Sequence, residues 1–161
     1  NGEAGGEDLN GLFYAFNFTY DLNGLKLSAG YDHVSGNDED TEDNEAFNTL
    51  FATNHKYYGS MDYFLNIPVH TAELGLNDIH VKLSGLSVAG IGVNAAYHIF
   101  TSEFDNSNGD SDFGSEIDLT FVKKYNENVK FVGGFSMFMP GDLMSGDDNA
   151  TWAYLMTIVN L

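Results

Sequence analysis

From Gly11 the chain reads GLFYAFNFTYDL, and every second residue is bulky and apolar: Leu12, Tyr14, Phe16, Phe18, Tyr20 and Leu22. Between them lie Gly11, Ala15, Asn17, Thr19 and Asp21, with Phe13 the exception. A period of two belongs to a strand with one dry and one wet face. The pattern returns in LKLSAGYDHV, where Leu25, Leu27, Ala29 and Tyr31 oppose Lys26, Ser28, Gly30 and Asp32. Between these strands DLNG supplies an Asn-Gly pair, the strongest short hairpin signal. Six further strands are predicted: His55 to Ile67, Leu76 to Gly85, Val88 to Phe100, Ser115 to Tyr125, Val129 to Met139 and Thr151 to Leu161. In the second of these Ile79, Val81 and Leu83 oppose Asp78, His80, Lys82 and Ser84; in the fourth Ile117, Leu119 and Phe121 oppose Glu116, Asp118 and Thr120. No stretch has a helical period. The expected fold is all-β and antiparallel, with about eight strands of about ten residues.

The connections are of two kinds. DLNG, GLS near Ser87 and YNEN at Tyr125 to Asn128 are tight, whereas the loops 35–54, 101–114 and 140–150 are long and acidic. Short turns at one end and long loops at the other is the organisation of outer-membrane barrels. Lys26, Lys56, Lys82 and Lys130 fall opposite the apolar set, as lipid on the apolar side would require. Tyr14, Tyr20, Tyr57, Tyr97, Phe100, Trp152 and Tyr154 lie near strand ends, where interfacial girdles sit. Both faces of the last strand are largely apolar, so the pattern assigns it no outward side. An antiparallel transmembrane β-barrel is the favoured architecture. The alternative is a small closed barrel or soluble β-sandwich that transports nothing and binds or adheres through its acidic loops.

Composition narrows the function. At 161 residues the chain is sized for one domain, 1–161. It carries 24 acidic residues against 6 basic ones, all lysine, for a formal charge of −18, which argues against a nucleic-acid partner. Without cysteine there is neither a disulfide framework nor a thiolate metal site. No run approaches the roughly 18 consecutive apolar residues of a membrane helix, which leaves transmembrane strands open. A start at Asn1 reads as a mature form after cleavage or as a piece of something longer.

Several stretches carry a family resemblance. FNTLFATNHKYYGSMDYF from Phe47 to Phe64, GLNDIHVKLSG from Gly75, NAAYHIFTSEF from Asn94, DFGSEIDLTF from Asp112 and the closing TWAYLMTIVNL resemble the alginate-export family of bacterial outer-membrane porins. The resemblance implies a location in the outer membrane of Gram-negative bacteria, with lipid around the barrel. It also implies passive transport of a small solute or an anionic polysaccharide. Members of that family have about eighteen strands, so this chain would be the C-terminal part of such a barrel, completed by further strands or chains. The chain has no arginine, the residue a lumen for polyanions favours.

Placing the C-terminus in the periplasm and counting strands backwards creates a conflict at the first hairpin. It vanishes if Val34 to Leu74 is one long extracellular excursion that folds back, carrying TNHKYYGSMDYF as a loop hairpin or a constriction element; seven spanning strands then remain. Read instead as a strand, His55 to Ile67 puts Lys56, Tyr58, Ser60, Asp62 and Asn66 on one face, a lumen wall or an ordinary polar face with a Lys56–Asp62 charge pair. The candidate lumen and selectivity residues are Lys26, Lys56, Tyr58, Asp62, Asp78, His80, Lys82, Glu116, Asp118 and Lys130. His55, His80 and His98 sit on three segments with no carboxylate at a recognisable ligand spacing, so exposed or hydrogen-bonded histidines are expected rather than a zinc site. No cofactor motif is present. The acidic loops suit calcium, with Asp38, Asp40, Asp110 and Asp112 as ligands, although counting from Asn108 puts Phe113 and Leu119 where an EF-hand needs glycine and glutamate. No nucleophile elbow, zinc-protease helix or phosphate loop appears, and no enzyme activity is expected.

Overall fold

The computed structural model describes every residue except Asn1, Gly5, Glu39, Asp40, Glu42, Phe51, Thr53 and Leu161. The protein is all-β. A short hairpin of β1 (Gly2–Ala4) and β2 (Glu7–Leu9) precedes seven long strands: β3 (Phe13–Leu22), β4 (Leu25–Val34), β5 (Leu76–Val88), β6 (Ile91–Thr101), β7 (Asp112–Lys124), β8 (Val129–Pro140) and β9 (Ala150–Val159). These seven form one antiparallel sheet in chain order, each strand beside its sequence neighbours. The sheet is open, and β3 and β9 each keep one unpaired edge.

The alternation explains the pairing. The row Phe18, Ala29, Val81, Tyr97, Ile117, Met137, Thr151 crosses the sheet on one face. The row Asn17, Gly30, His80, His98, Glu116, Phe138, Ala150 crosses it on the other. A slip of one residue would exchange the two faces, so the pattern pins the register. The apolar face is the uncovered one: Phe18 is 70% exposed and Leu155 81%, and Phe16, Leu27, Ile79 and Val81 are exposed with them.

The polar face is covered by the chain's own connection from β4 to β5. The predicted strand His55 to Ile67 does not form; a 3-10 turn at Asn54–Lys56 opens this segment, a series of bends and turns follows, and a second 3-10 turn at Val69–Thr71 comes just after it. Tyr58, Gly59 and Asp62 have φ of 58°, 87° and 64°, and these left-handed residues break any extended repeat. The seven-strand arrangement with a folded-back excursion is therefore the one adopted.

The core sits between this segment and the loop end of the sheet, where Tyr58, Phe64 and Ile67 pack with Val34, Leu76, Phe100, Phe113 and Phe138. Phe64 lies 4.7 Å from Phe100 and 5.4 Å from Phe113 between ring centroids. Strict alternation would turn Phe113 to the apolar face. A bulge between the Phe100–Gly114 and Thr101–Asp112 pairs re-aims it inward.

The tight turns Asn23–Gly24, Ala89–Gly90 and 125–128 share one end of the sheet, and the connections 35–75, 102–111 and 141–149 share the other. Asn23 and Gly24 both have positive φ, 53° and 93°, as a type I′ turn requires. The turn expected at GLS near Ser87 lies instead at Ala89–Gly90, because β5 continues through an irregularity after Leu83 to Val88. In β9, Ala153 and Leu155 fall on the apolar face, while Trp152 and Tyr154 pair with Ser136 and Gly134 on the polar one. Phe100, opposite Asp78, is fully buried. These three aromatics are thus not part of an outward girdle.

Candidate functional site

The polar face gathers ionisable side chains from adjacent strands and buries them. Strand alternation puts Asp78 and His80 on the same side of β5, and the antiparallel register sets His98 of β6 opposite His80. Asp32 of β4 stands opposite Asp78, and Glu116 of β7 opposite His98. All five are buried, Asp78 at 1% exposure and Glu116 at 0%. Ionisable groups taken out of water are costly unless they are paired or hydrogen-bonded, so their arrangement carries information.

His98 Nδ1 donates to both Asp78 oxygens, at 2.9 and 2.8 Å. His80 Nδ1 lies 3.4 Å from Asp78 Oδ2, and on its other side Nε2 donates to Asn17 Oδ1 at 3.2 Å. Ser136 Oγ donates to Asp118 Oδ1 at 2.5 Å. Glu116 Oε1 accepts the backbone N–H groups of Ser60 and Met61 at 2.5 and 2.9 Å, tying the covering segment to the sheet. Among the described residues, three buried side-chain atoms, Asp32 Oδ1, His80 Nδ1 and Glu116 Oε2, make no hydrogen bond.

Between the covering segment and β3–β5 lies a cavity of about 660 Å³, lined by Asp32, Lys56, Tyr58, Asp78, His80 and Lys82 among others. A second one of about 320 Å³ runs between the segment and β5–β7, reaching His98 and Asp118, and Lys56 and Lys82 line both. Burial, reinforced by the Asp32 and Asp78 charges, pushes the Tyr58 phenol above its usual range, so it stays a neutral hydrogen-bonding wall.

Most of the residues singled out in the sequence converge here: Tyr58, Asp78, His80, Lys82, Glu116 and Asp118, with Lys56 at the cavity rim. Lys26 and Lys130 do not. Both belong to the polar rows but lie near the tight turns, Lys26 opposite Asp21 and Ser84, and Lys130 opposite Lys124. Lys56 does not pair with Asp62; its Nζ lies 5.6 Å from the Tyr57 ring, and Asp62 binds the exposed His55 at 2.6 Å.

Two of the four expected calcium ligands have partners within their own loops. Asp110 accepts a hydrogen bond from Asn106 within its own turn, and Asp112 caps the Gly114 N–H. Asp38 belongs to the 35–75 connection, and Asp40 lies outside the described residues. Among the described residues the group placed to share an ion is Asp78, His80 and His98. Linear ligand spacing does not show this group, because His98 lies on the next strand, twenty positions from Asp78; the signal in the sequence is their shared alternation parity across neighbouring strands.

Scans against protein-family models and curated proteins return no match to this chain.

Proposed function

We propose that the sheet is part of the wall of an outer-membrane β-barrel, with its polar face toward a water-filled lumen and the 35–75 connection folded inside as a constriction. The observation that carries this reading is the inversion of the two faces: the apolar rows have no cover, while Asp78, His80, His98 and Glu116 are buried beneath the chain's own loop. A water-soluble sandwich places its apolar rows against a second sheet. A barrel in lipid does the reverse. Strands of 10 to 13 residues are long enough to cross a hydrocarbon core when tilted. The open edges of β3 and β9 require further strands or a second chain, because an unpaired edge is not tolerated in lipid.

The lining of the proposed constriction supports a substrate class. Lys56 and Lys82 line both cavities, with Asp32, Asp78 and Asp118 as the acidic lining residues and Tyr57 and Tyr58 in the larger cavity. Cationic side chains and aromatic rings together suit a small or anionic saccharide moving passively, as the likeness to alginate-export porins suggests. Single-channel conductance of the purified protein in a planar bilayer tests the reading. Discrete, reproducible steps blocked by an anionic oligosaccharide are expected; silence from protein shown to have inserted overturns it in favour of a closed, non-transporting barrel.

A further inference from the structure

We propose that Asp78, His80 and His98 form a binding site for a divalent transition-metal ion of the zinc class, set into the polar face of β5 and β6. One ligand atom from each lies within 4.8 Å of the other two, and all three residues are at least 97% buried. Two imidazoles and one carboxylate are a common zinc donor set, with a fourth position left for water or another carboxylate. Asp32, opposite Asp78 on the neighbouring strand with a buried Oδ1 that makes no hydrogen bond, lies on the same face but outside that three-residue group.

The hydrogen bonding of His80 points to a cation. Asn17 Oδ1 only accepts, so the proton of a neutral His80 ring resides on Nε2 and its Nδ1 carries a lone pair. That lone pair is buried, makes no hydrogen bond, and faces Asp78 Oδ2 at 3.4 Å. Two acceptors at this separation repel unless a proton or a metal ion lies between them, and the 3.4 Å spacing is long for a direct hydrogen bond. Donors bound about 2.0–2.2 Å from a tetrahedral ion stand about 3.3–3.6 Å apart, which the His80–Asp78 spacing matches. The His98–Asp78 contact is a hydrogen bond at 2.8 Å and would open by about 0.5 Å when the ion replaces the Nδ1 proton.

The surroundings are built to hold the ring. Asn17 orients His80 from behind, as outer-shell partners of metal-bound histidines do. Gly30 lies against the imidazole, and a Cβ there would collide with the His80 ring and the Asn17 amide. The 660 Å³ cavity reaches Asp78 and His80, and the 320 Å³ cavity reaches His98, so an ion has an entry path from either side.

The test uses the full chain purified in detergent, treated with chelator and titrated with Zn²⁺ alone by calorimetry, with visible absorption of Co²⁺ as a geometric probe. One ion per chain is expected, with an intense Co²⁺ band of four-coordinate type. His80→Ala and His98→Ala should each weaken binding at least tenfold, Asn17→Ala about 10–100-fold, and His55→Ala not at all. Because the buried variants could fold poorly, X-ray absorption of the zinc-loaded native protein gives a second reading and should show two imidazole ligands. The proposal is overturned if folded native protein takes up no stoichiometric zinc, if the bound ion lacks histidine ligands, or if His55→Ala removes binding while His80→Ala does not. In the first case His80 is a plain imidazolium partner of Asp78.

Discussion

Glu116, at the middle of the polar row, accepts the backbone N–H of Ser60 at 2.5 Å, and this contact fastens the 35–75 connection across the sheet. The same Oε1 takes the Met61 N–H, so one carboxylate satisfies two part-buried backbone donors. If the sheet lines a pore, as proposed, a loop held by such a latch narrows it. Glu116→Ala is expected to free it, raising single-channel conductance and exposing 35–75 to protease, whereas Glu116→Gln keeps the acceptor and stays close to the native protein. Equal conductance and equal protease resistance in the alanine variant would remove the latch from the pathway.

Gly59 lies beneath that carboxylate. Its φ of 87° is left-handed, and a Cβ would come 2.5 Å from Glu116 Oε2. Gly59→Ala should therefore cost about 1–3 kcal/mol in a denaturant titration. Part of this cost vanishes when Glu116 is also alanine, and the double-mutant cycle should be non-additive by at least about 0.5 kcal/mol.

Lys56 and Lys82 are the cationic groups shared by the two cavities. Replacing both with glutamate is expected to shift ion selectivity toward cations, read as a displaced reversal potential under a salt gradient. Lys26→Glu and Lys130→Glu, near the tight turns and away from the buried cluster, should shift it less. Identical reversal potentials in all variants would take these lysines out of the conduction path.

Val81 lies in the exposed apolar row, on the strand that carries Asp78 and His80 on its other side. If that row meets lipid, Val81→Lys should destabilise the bilayer-inserted form by about 2–4 kcal/mol, measured by folding into vesicles across a denaturant series. In a water-soluble protein the same change at a half-exposed site would lie within about ±0.5 kcal/mol. The two outcomes are well separated.

The sequence alone determined what is local. Side-chain direction alternates residue by residue along a strand, so the opposed faces of β5 and β7, the absence of long helices and the turns at DLNG and YNEN were legible without coordinates. Backward counting also left room for an excursion between β4 and β5. Tertiary structure decided where the period fails and which residues meet across strands. Tyr58 takes left-handed backbone that its side chain does not announce, and His55 to Ile67 becomes a cover instead of a strand. Phe113 turns inward because a bulge, set by pairing with β6, adds one residue to β7. Asp78 meets His98, twenty positions away, only because the Ala89–Gly90 turn and the irregularity after Leu83 fix that register. Alternation is a property of one strand, whereas a site shared by neighbouring strands depends on register, and register is set by turn geometry and the packing of the whole sheet.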